Sequence, residues 1–412
     1  MKSLACRFCK LPLEHTFVDL GMTPVSNENV KAEDADKAEK FYPLHAYVCD
    51  GCRLVQLGES EQPENLFHGD YAYFSSYSDS WLQHASDYVE MMIARFGLGP
   101  KSQVVELASN DGYLLQFFHK QEIPVLGVEP SENVAQAAMD KGIPTLVKFF
   151  GAATAGELSE SGKQADLIIG NNVLAHVPDI SDFVSGIKIL LKPDGLVTIE
   201  FPHIMRLMER NQFDTIYHEH FSYLSILAVQ KIFAHHGLEL FDVEELSTHG
   251  GSLRIFAHHA EDNTRKMQNS VTELLDRERE NGLASLEAYH AFQEKVKRTK
   301  RELLSFLIEA KSRDKRIVGY GAPAKGNTLL NYCGIRTDFL EYTVDRSPQK
   351  QGRLLPGTRI PIEAPEHIFE TKPDYVLILP WNIKDEIMTQ MAGIRDWGGE
   401  FVIPIPSVEV LP

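Results

Sequence analysis

The 412-residue sequence predicts an α/β protein with a small metal-binding domain at its N-terminus, a central α/β domain, a helical segment and a second α/β domain. Three observations carry that prediction. Four of the five cysteines fall as Cys6-x-x-Cys9 and Cys49-x-x-Cys52. Short apolar runs alternate with helix-like stretches after Lys101 and again after Arg316, the pattern of parallel strands joined by crossover helices. Between these regions, apolar residues from Val271 to Ala310 recur at helical spacing. The expected units are residues 1–66, 67–262, 263–314 and 315–412.

Each element follows in chain order. Two CxxC knuckles wrap opposite sides of one tetrahedral ion, so Cys6, Cys9, Cys49 and Cys52 predict a closed structural zinc site with no open position for chemistry. The stretch from Lys10 to Val48 exceeds the usual spacing between knuckles and is expected to hold strands. Disulfides are disfavoured because a cysteine pair is reached before any signal-peptide core could form. The remaining cysteine, Cys333, is expected to be a buried small residue. An aromatic and hydroxyl-rich loop from His68 to Tyr77, with Tyr71 and Tyr73, reads either as a packed surface loop or as a pocket lining, and a helix follows from Trp81 to Phe96. Strands are expected at Val104–Leu107, Val125–Val128, Leu167–Ile169 and Leu196–Ile199, with helices between them. Gly282 should break the helical segment in two. In the last unit, Ile317–Gly319, Tyr342–Val344 and Tyr375–Leu379 read as strands.

Composition narrows the function. Hydrophobic residues at 43% and charged residues at 24% are ordinary for a folded protein. A formal charge of −17 repels phosphate backbones and argues against a nucleic-acid partner. No run approaches the roughly 18 apolar residues of a membrane span. The sequence is thus expected to be a cytoplasmic enzyme without membrane partners; a monomer is a separate expectation.

Three segments carry the chemistry. From Val104 to Leu115 a strand, a small-residue turn and a helix start contain Glu106, Ala108, Asn110 and Gly112; a second strand ends in Glu129-Pro130, where a carboxylate can accept from a ribose diol. The turn lacks the glycines that admit a pyrophosphate, which disfavours NAD and leaves S-adenosylmethionine, a cofactor without one. Together with Asp166–Val177, which contains Asn172, and Leu190–Val197, the four pieces resemble a class I (Rossmann-like) methyltransferase domain. The second segment, Tyr217-His218-Glu219-His220-Phe221-Ser222-Tyr223, is the densest titratable cluster. Its histidines are two apart, not the four of a metalloprotease helix, and a neutral imidazole suits proton removal from a carbon acid, making His220 the candidate base. A surface loop without chemistry is the other reading. The third, Arg316–Asn327, runs from a strand through a glycine-rich turn with Gly321 and Lys325 into a helix, a place for an anion.

With these motifs in order, the whole chain resembles the deoxysugar C-methyltransferases that act on nucleotide-linked 4-keto sugars, typified by the 3-C-methyltransferase of tetronitrose biosynthesis. The resemblance rests on the knuckles, Tyr71–Ser76, Asn172–His176, Tyr217–Tyr223 and Gly319–Gly326. It implies a zinc domain, an S-adenosylmethionine domain and a C-terminal Rossmann-like domain that helps bind the sugar nucleotide. It also implies Tyr71, His176, Tyr217, Glu219 and His220 as active-site counterparts, with Tyr73, His203, Gly321 and Lys325 expected at the substrate. The partner implied is a nucleotide-diphosphate 4-keto-deoxysugar, methylated at C3 in preference to C5. An O- or N-methyltransferase, or a non-catalytic zinc-ribbon module, are the alternatives.

Overall fold

The computed structural model describes residues 4–58 and 74–412. In the N-terminal unit, strands His15–Thr23, Tyr42–Val48 and Val55–Leu57 form an antiparallel sheet. Alternation in Tyr42–Val48 buries Leu44, Ala46 and Val48 on one face. The fourth strand, Ser222–Tyr223, comes from the central unit and pairs with Val55–Leu57, Ser222 opposite Gln56 and Tyr223 opposite Val55.

The central sheet has seven strands in the order Leu238–Leu246, Ser252–His259, Leu191–Pro202, Ala165–Asn171, Val104–Leu107, Val125–Val128 and Thr145–Leu146. The last five run parallel; Ser252–His259 lies antiparallel between Leu191–Pro202 and Leu238–Leu246. Val104–Leu107 is buried at every position, as a strand covered on both faces must be. This is the class I methyltransferase architecture, whose ligands bind beyond the carboxyl ends of the parallel strands.

The helical segment is more than a linker. Helices Asn269–Glu280 and Glu287–Ser312 are separated by Gly282 at φ +81°. The longer helix buries Tyr289, Phe292, Val296, Thr299, Leu303, Leu307 and Ala310, spaced by threes and fours. That stripe packs on the N-terminal sheet, where Phe17 stacks on Phe292 with ring centroids 4.7 Å apart. The shorter helix supplies Glu278, fully buried, which accepts from His203 Nε2 at 2.7 Å and from the backbone N–H groups of Ile226 and Leu227. Its carboxylate thereby caps the helix Ile226–His235, where the unpaired amides favour an anion.

The C-terminal sheet orders six strands as Ile362–Glu363, Thr343–Val344, Ile317–Tyr320, Tyr375–Ile378, Glu400–Ile403 and Glu409–Leu411, parallel except for the last. Gly321 sits at φ +93° against Pro380, and an added Cβ would lie 2.5 Å from the proline Cδ. A two-stranded ribbon, Val30–Lys31 with Arg353–Leu354, ties the N-terminal unit to this domain. Among the described residues, no helix is long and apolar enough to cross a membrane.

Candidate active site

The four knuckle cysteines converge. Their sulfurs all lie within 4.8 Å of one another, with Cys6 Sγ 3.6 Å from Cys52 Sγ and Cys9 Sγ 3.3 Å from Cys49 Sγ. Zinc–sulfur bonds of about 2.3 Å at tetrahedral angles place sulfurs about 3.8 Å apart, so the residues fit the ion. The two turns share one backbone plan. The carbonyls of Cys6 and Cys49 accept from Lys10 and Arg53, each of which follows a knuckle with φ 63° and 64°. The Gln56 side-chain amide donates to Cys6 Sγ at 3.2 Å, a second layer that orients the ligand. No disulfide links these cysteines, and Cys333 is buried. The set is closed and full, which suits a structural zinc.

The turn expected to hold the cofactor is built from strained backbone. Ala108, Asn110 and Gly112 take φ of 54°, 50° and 73°, and Gly112 packs against Ile143 and Ala138 too closely for a side chain to fit freely. Glu129, with Pro130 beside it, stands at the end of Val125–Val128; its carboxylate accepts from the backbone N–H groups of Asn110 and Ser131 at 3.0 and 2.8 Å. Glu106 is 1% exposed, with the Tyr113 side chain beside its carboxylate. Burial pushes its acidity well below that of an ordinary glutamic acid. A buried acid near the end of a strand, beside that turn, fits S-adenosylmethionine, whose amino and hydroxyl groups can donate to it.

Beyond the turn, one cluster gathers the titratable side chains. His220 donates from Nδ1 to the Thr215 carbonyl at 2.9 Å, so Nε2 carries the lone pair and accepts from the Tyr217 hydroxyl at 2.9 Å. His176 donates from Nδ1 to the Glu219 carbonyl at 2.8 Å and meets His220 edge-on, ring centroids 4.6 Å apart. Burial, then the neighbouring His176, holds His220 well below the usual imidazole range, and burial lowers His176 to about 4. Both rings are neutral at pH 7. Glu219 accepts from Asn27 Nδ2 at 2.9 Å through one oxygen, the other is buried without a side-chain partner among the described residues, and burial raises this acid to about 7.

The C-terminal domain reaches the same cluster. Lys325 lies over the Trp381 ring at 4.5 Å and donates to Asn382 Oδ1; its charge bears on both His220 and Asp214. Trp381 Nε1 donates to Asp214 Oδ2 at 2.7 Å, and burial raises Asp214 to about 6. Gly321 shapes the turn leading to Lys325. His203 lies apart from this cluster, 1% exposed and held by Glu278 in the core, a contact that gives it a structural task. Tyr71 and Tyr73 lie outside the described residues. Asn27, Asp214 and Trp381 were not singled out from the sequence, and neither was His249, which accepts at Nε2 from the Asn172 side-chain amide at 3.0 Å. The Gly250-Gly251 pair after it was the available signal.

Three family models match the chain: "Putative zinc binding domain" over residues 6–67, "Methyltransferase domain" over 81–243 and "C-methyltransferase C-terminal domain" over 247–406. Among curated proteins, C-methyltransferase NovU of Streptomyces niveus is 36% identical over 406 residues, covering 98% of this chain and 96% of that protein. A ubiquinone biosynthesis O-methyltransferase of Rhizobium etli is 28% identical over 112 residues, 25% of this chain and 45% of that protein. Among solved structures, magnesium protoporphyrin IX methyltransferase from Synechocystis matches with a TM-score of 0.34 and 17% identity, covering 47% of this chain and 88% of that one. With a zinc site, an S-adenosylmethionine fold and a relative matched almost end to end, the chain belongs to the C-methyltransferase family and is an S-adenosylmethionine-dependent enzyme.

Proposed function

We propose that the acceptor is a nucleotide-linked 4-keto-deoxysugar, methylated on the carbon beside the ketone, C3 in preference to C5, through an enolate made by the Tyr217–His220 pair. The pairing of these two side chains carries the reading. A ketone acidifies the adjacent C–H, and a neutral imidazole whose second nitrogen is locked to a carbonyl is a base with a fixed lone pair. Because the Tyr217 hydroxyl already donates to that lone pair, the two act together. The hydroxyl oxygen takes the carbon-bound proton while its own proton passes to His220 Nε2, leaving an enolate and an imidazolium. S-adenosylmethionine, when bound, supplies an electrophilic methyl group. C–C bond formation restores the ketone, and the imidazolium returns its proton to solvent.

The other residues hold this arrangement. His176 and Glu219 are tied through the Glu219 carbonyl, which fixes the ring facing His220. Lys325, with Gly321 behind it, brings a cation from the C-terminal domain toward the cluster, as the diphosphate of a sugar nucleotide requires. Glu106, Ala108, Asn110, Gly112, Glu129, Pro130 and Asn172 form the cofactor wall.

The test separates proton removal from methyl transfer. With S-adenosylhomocysteine in place of the donor, the enzyme should exchange solvent deuterium into the carbon beside the ketone of a nucleotide 4-keto-deoxysugar. His220→Asn and Tyr217→Phe should each suppress that exchange and methyl transfer by roughly 10²–10⁴-fold. Exchange at the wild-type rate in either variant would remove that residue from the proton path.

A further inference from the structure

An enolate oxygen needs a donor, and in this arrangement the Tyr217 hydroxyl serves the base. We infer that His249 supplies that donor: a neutral imidazole presenting its Nδ1–H to the acceptor's carbonyl oxygen as negative charge develops there. The inference rests on the enolate reading above.

Position comes first. His249 accepts at Nε2 from Asn172 in the cofactor wall, and its ring meets the Trp81 ring edge-on at 5.3 Å. Asn172 comes just before the turn Leu174–His176, which sets His249 beside the segment that carries His176, and its charge bears on both His176 and His220. By accessible area its side chain is exposed, which leaves the ring open to a ligand. Since Nε2 is an acceptor, the ring proton sits on Nδ1. Among the described residues no group hydrogen-bonds Nδ1, which leaves this donor for a ligand.

The backbone is arranged to hold the ring there. His249 sits at φ 52°, ψ 24°, a conformation that non-glycine residues adopt at a cost, and Gly250 and Gly251 follow at φ +88° and +122°. A Cβ on Gly250 would lie 2.7 Å from Gln212 Nε2, and one on Gly251 2.9 Å from Arg206 Cγ. Upstream, Thr248 Oγ1 donates to Glu200 at 2.9 Å. Glu200 is fully buried and also takes hydrogen bonds from His84 and Arg254, so the turn hangs from a fixed anion. Burial keeps the imidazole neutral at pH 7, with Glu200 opposing and Lys325 and His84 reinforcing that effect. A neutral imidazole as electrophile is sound chemistry, since it donates without first having to lose its charge.

The experiment compares His249→Gly, which accepts the left-handed backbone and removes the ring, with His249→Asn, which tolerates the same backbone and keeps an amide donor near the Nδ1 position. His249→Gly should lower kcat and S-adenosylhomocysteine-supported deuterium exchange together, by about 10²–10³-fold. KM for the acceptor and S-adenosylmethionine affinity should stay within about threefold, with circular dichroism and melting temperature reporting the fold; His249→Asn should recover at least tenfold of the loss. Wild-type exchange in His249→Gly, a loss of transfer without loss of exchange, or a loss accounted for by weaker cofactor binding would each overturn the assignment. If the wild-type enzyme itself exchanged no deuterium across a panel of thymidine- and guanosine-diphosphate 4-keto-6-deoxyhexoses, the enolate reading would fall first, and this inference with it.

Discussion

Glu219 is an acid buried to 6% exposure whose ionisation is displaced to about 7 by loss of water, against an ordinary value near 4.3 in an unfolded chain. Between those two values the folded state binds more protons than the unfolded one. Stability therefore falls as pH rises from about 4.3 to 7, and is flat above that window as far as this group is concerned. Glu219→Gln should abolish that slope and raise stability at pH 8 by on the order of 2 kcal/mol, read from urea unfolding at pH 5 and 8. An unchanged slope would mean that water reaches the carboxylate. His176 and His220 are shifted the other way and stay neutral from pH 6 to 8, so any inflection of kcat/KM near 7 should belong to Glu219 and vanish in the same variant. For the cofactor, Glu129→Ala should weaken S-adenosylmethionine binding by about 1.5–3 kcal/mol, measured by calorimetry, since it removes an acceptor for charged or strongly polar donors and the two amide bonds that shape the turn.

At the scale of elements, the stripe of Glu287–Ser312 is a packing device. Phe292→Ala deletes a ring stacked on Phe17 and should cost about 3–5 kcal/mol in chemical unfolding. A cost under 1 kcal/mol would show that the sheet and helix do not depend on one another. The heptad-like spacing of that helix was legible in the sequence because it is local, but its partner strand, far away in the chain, was not. The same division runs through the site. Knuckle cysteines, the turn at Glu106–Gly112 and the Tyr217–Tyr223 cluster declare themselves through short spacings. His249 does not, because its value comes from a left-handed turn and from Asn172, which follows a strand distant in the chain. Likewise His203 was expected at the substrate, whereas Glu278, from a helix downstream, holds it in the core. Ser222–Tyr223 is too short to read as a strand until Val55–Leu57 lies beside it.

Across the whole molecule, the zinc unit, the central sheet and the long helix share one continuous core, which includes Cys6, Phe17, Phe201, Phe292 and Leu377. Cys49→Ser, or removal of metal by a chelator, should therefore lower the melting temperature of the entire chain in a single transition, because a closed four-cysteine site contributes folding free energy. Protein that stayed fully folded without metal and lost only methyl transfer would contradict this. The fourth strand of the N-terminal sheet has a further consequence, one of timing. Synthesis proceeds from the N-terminus, so the knuckles can take up metal early, but the edge Val55–Leu57 stays open until Ser222 and Tyr223 have left the ribosome. For that interval the nascent chain carries an unpaired strand edge, the kind of surface on which chains join one another. Closing it brings in the segment that bears Tyr217, Glu219 and His220. The act that protects the growing chain from its neighbours is thus the same act that sets the proposed base in place.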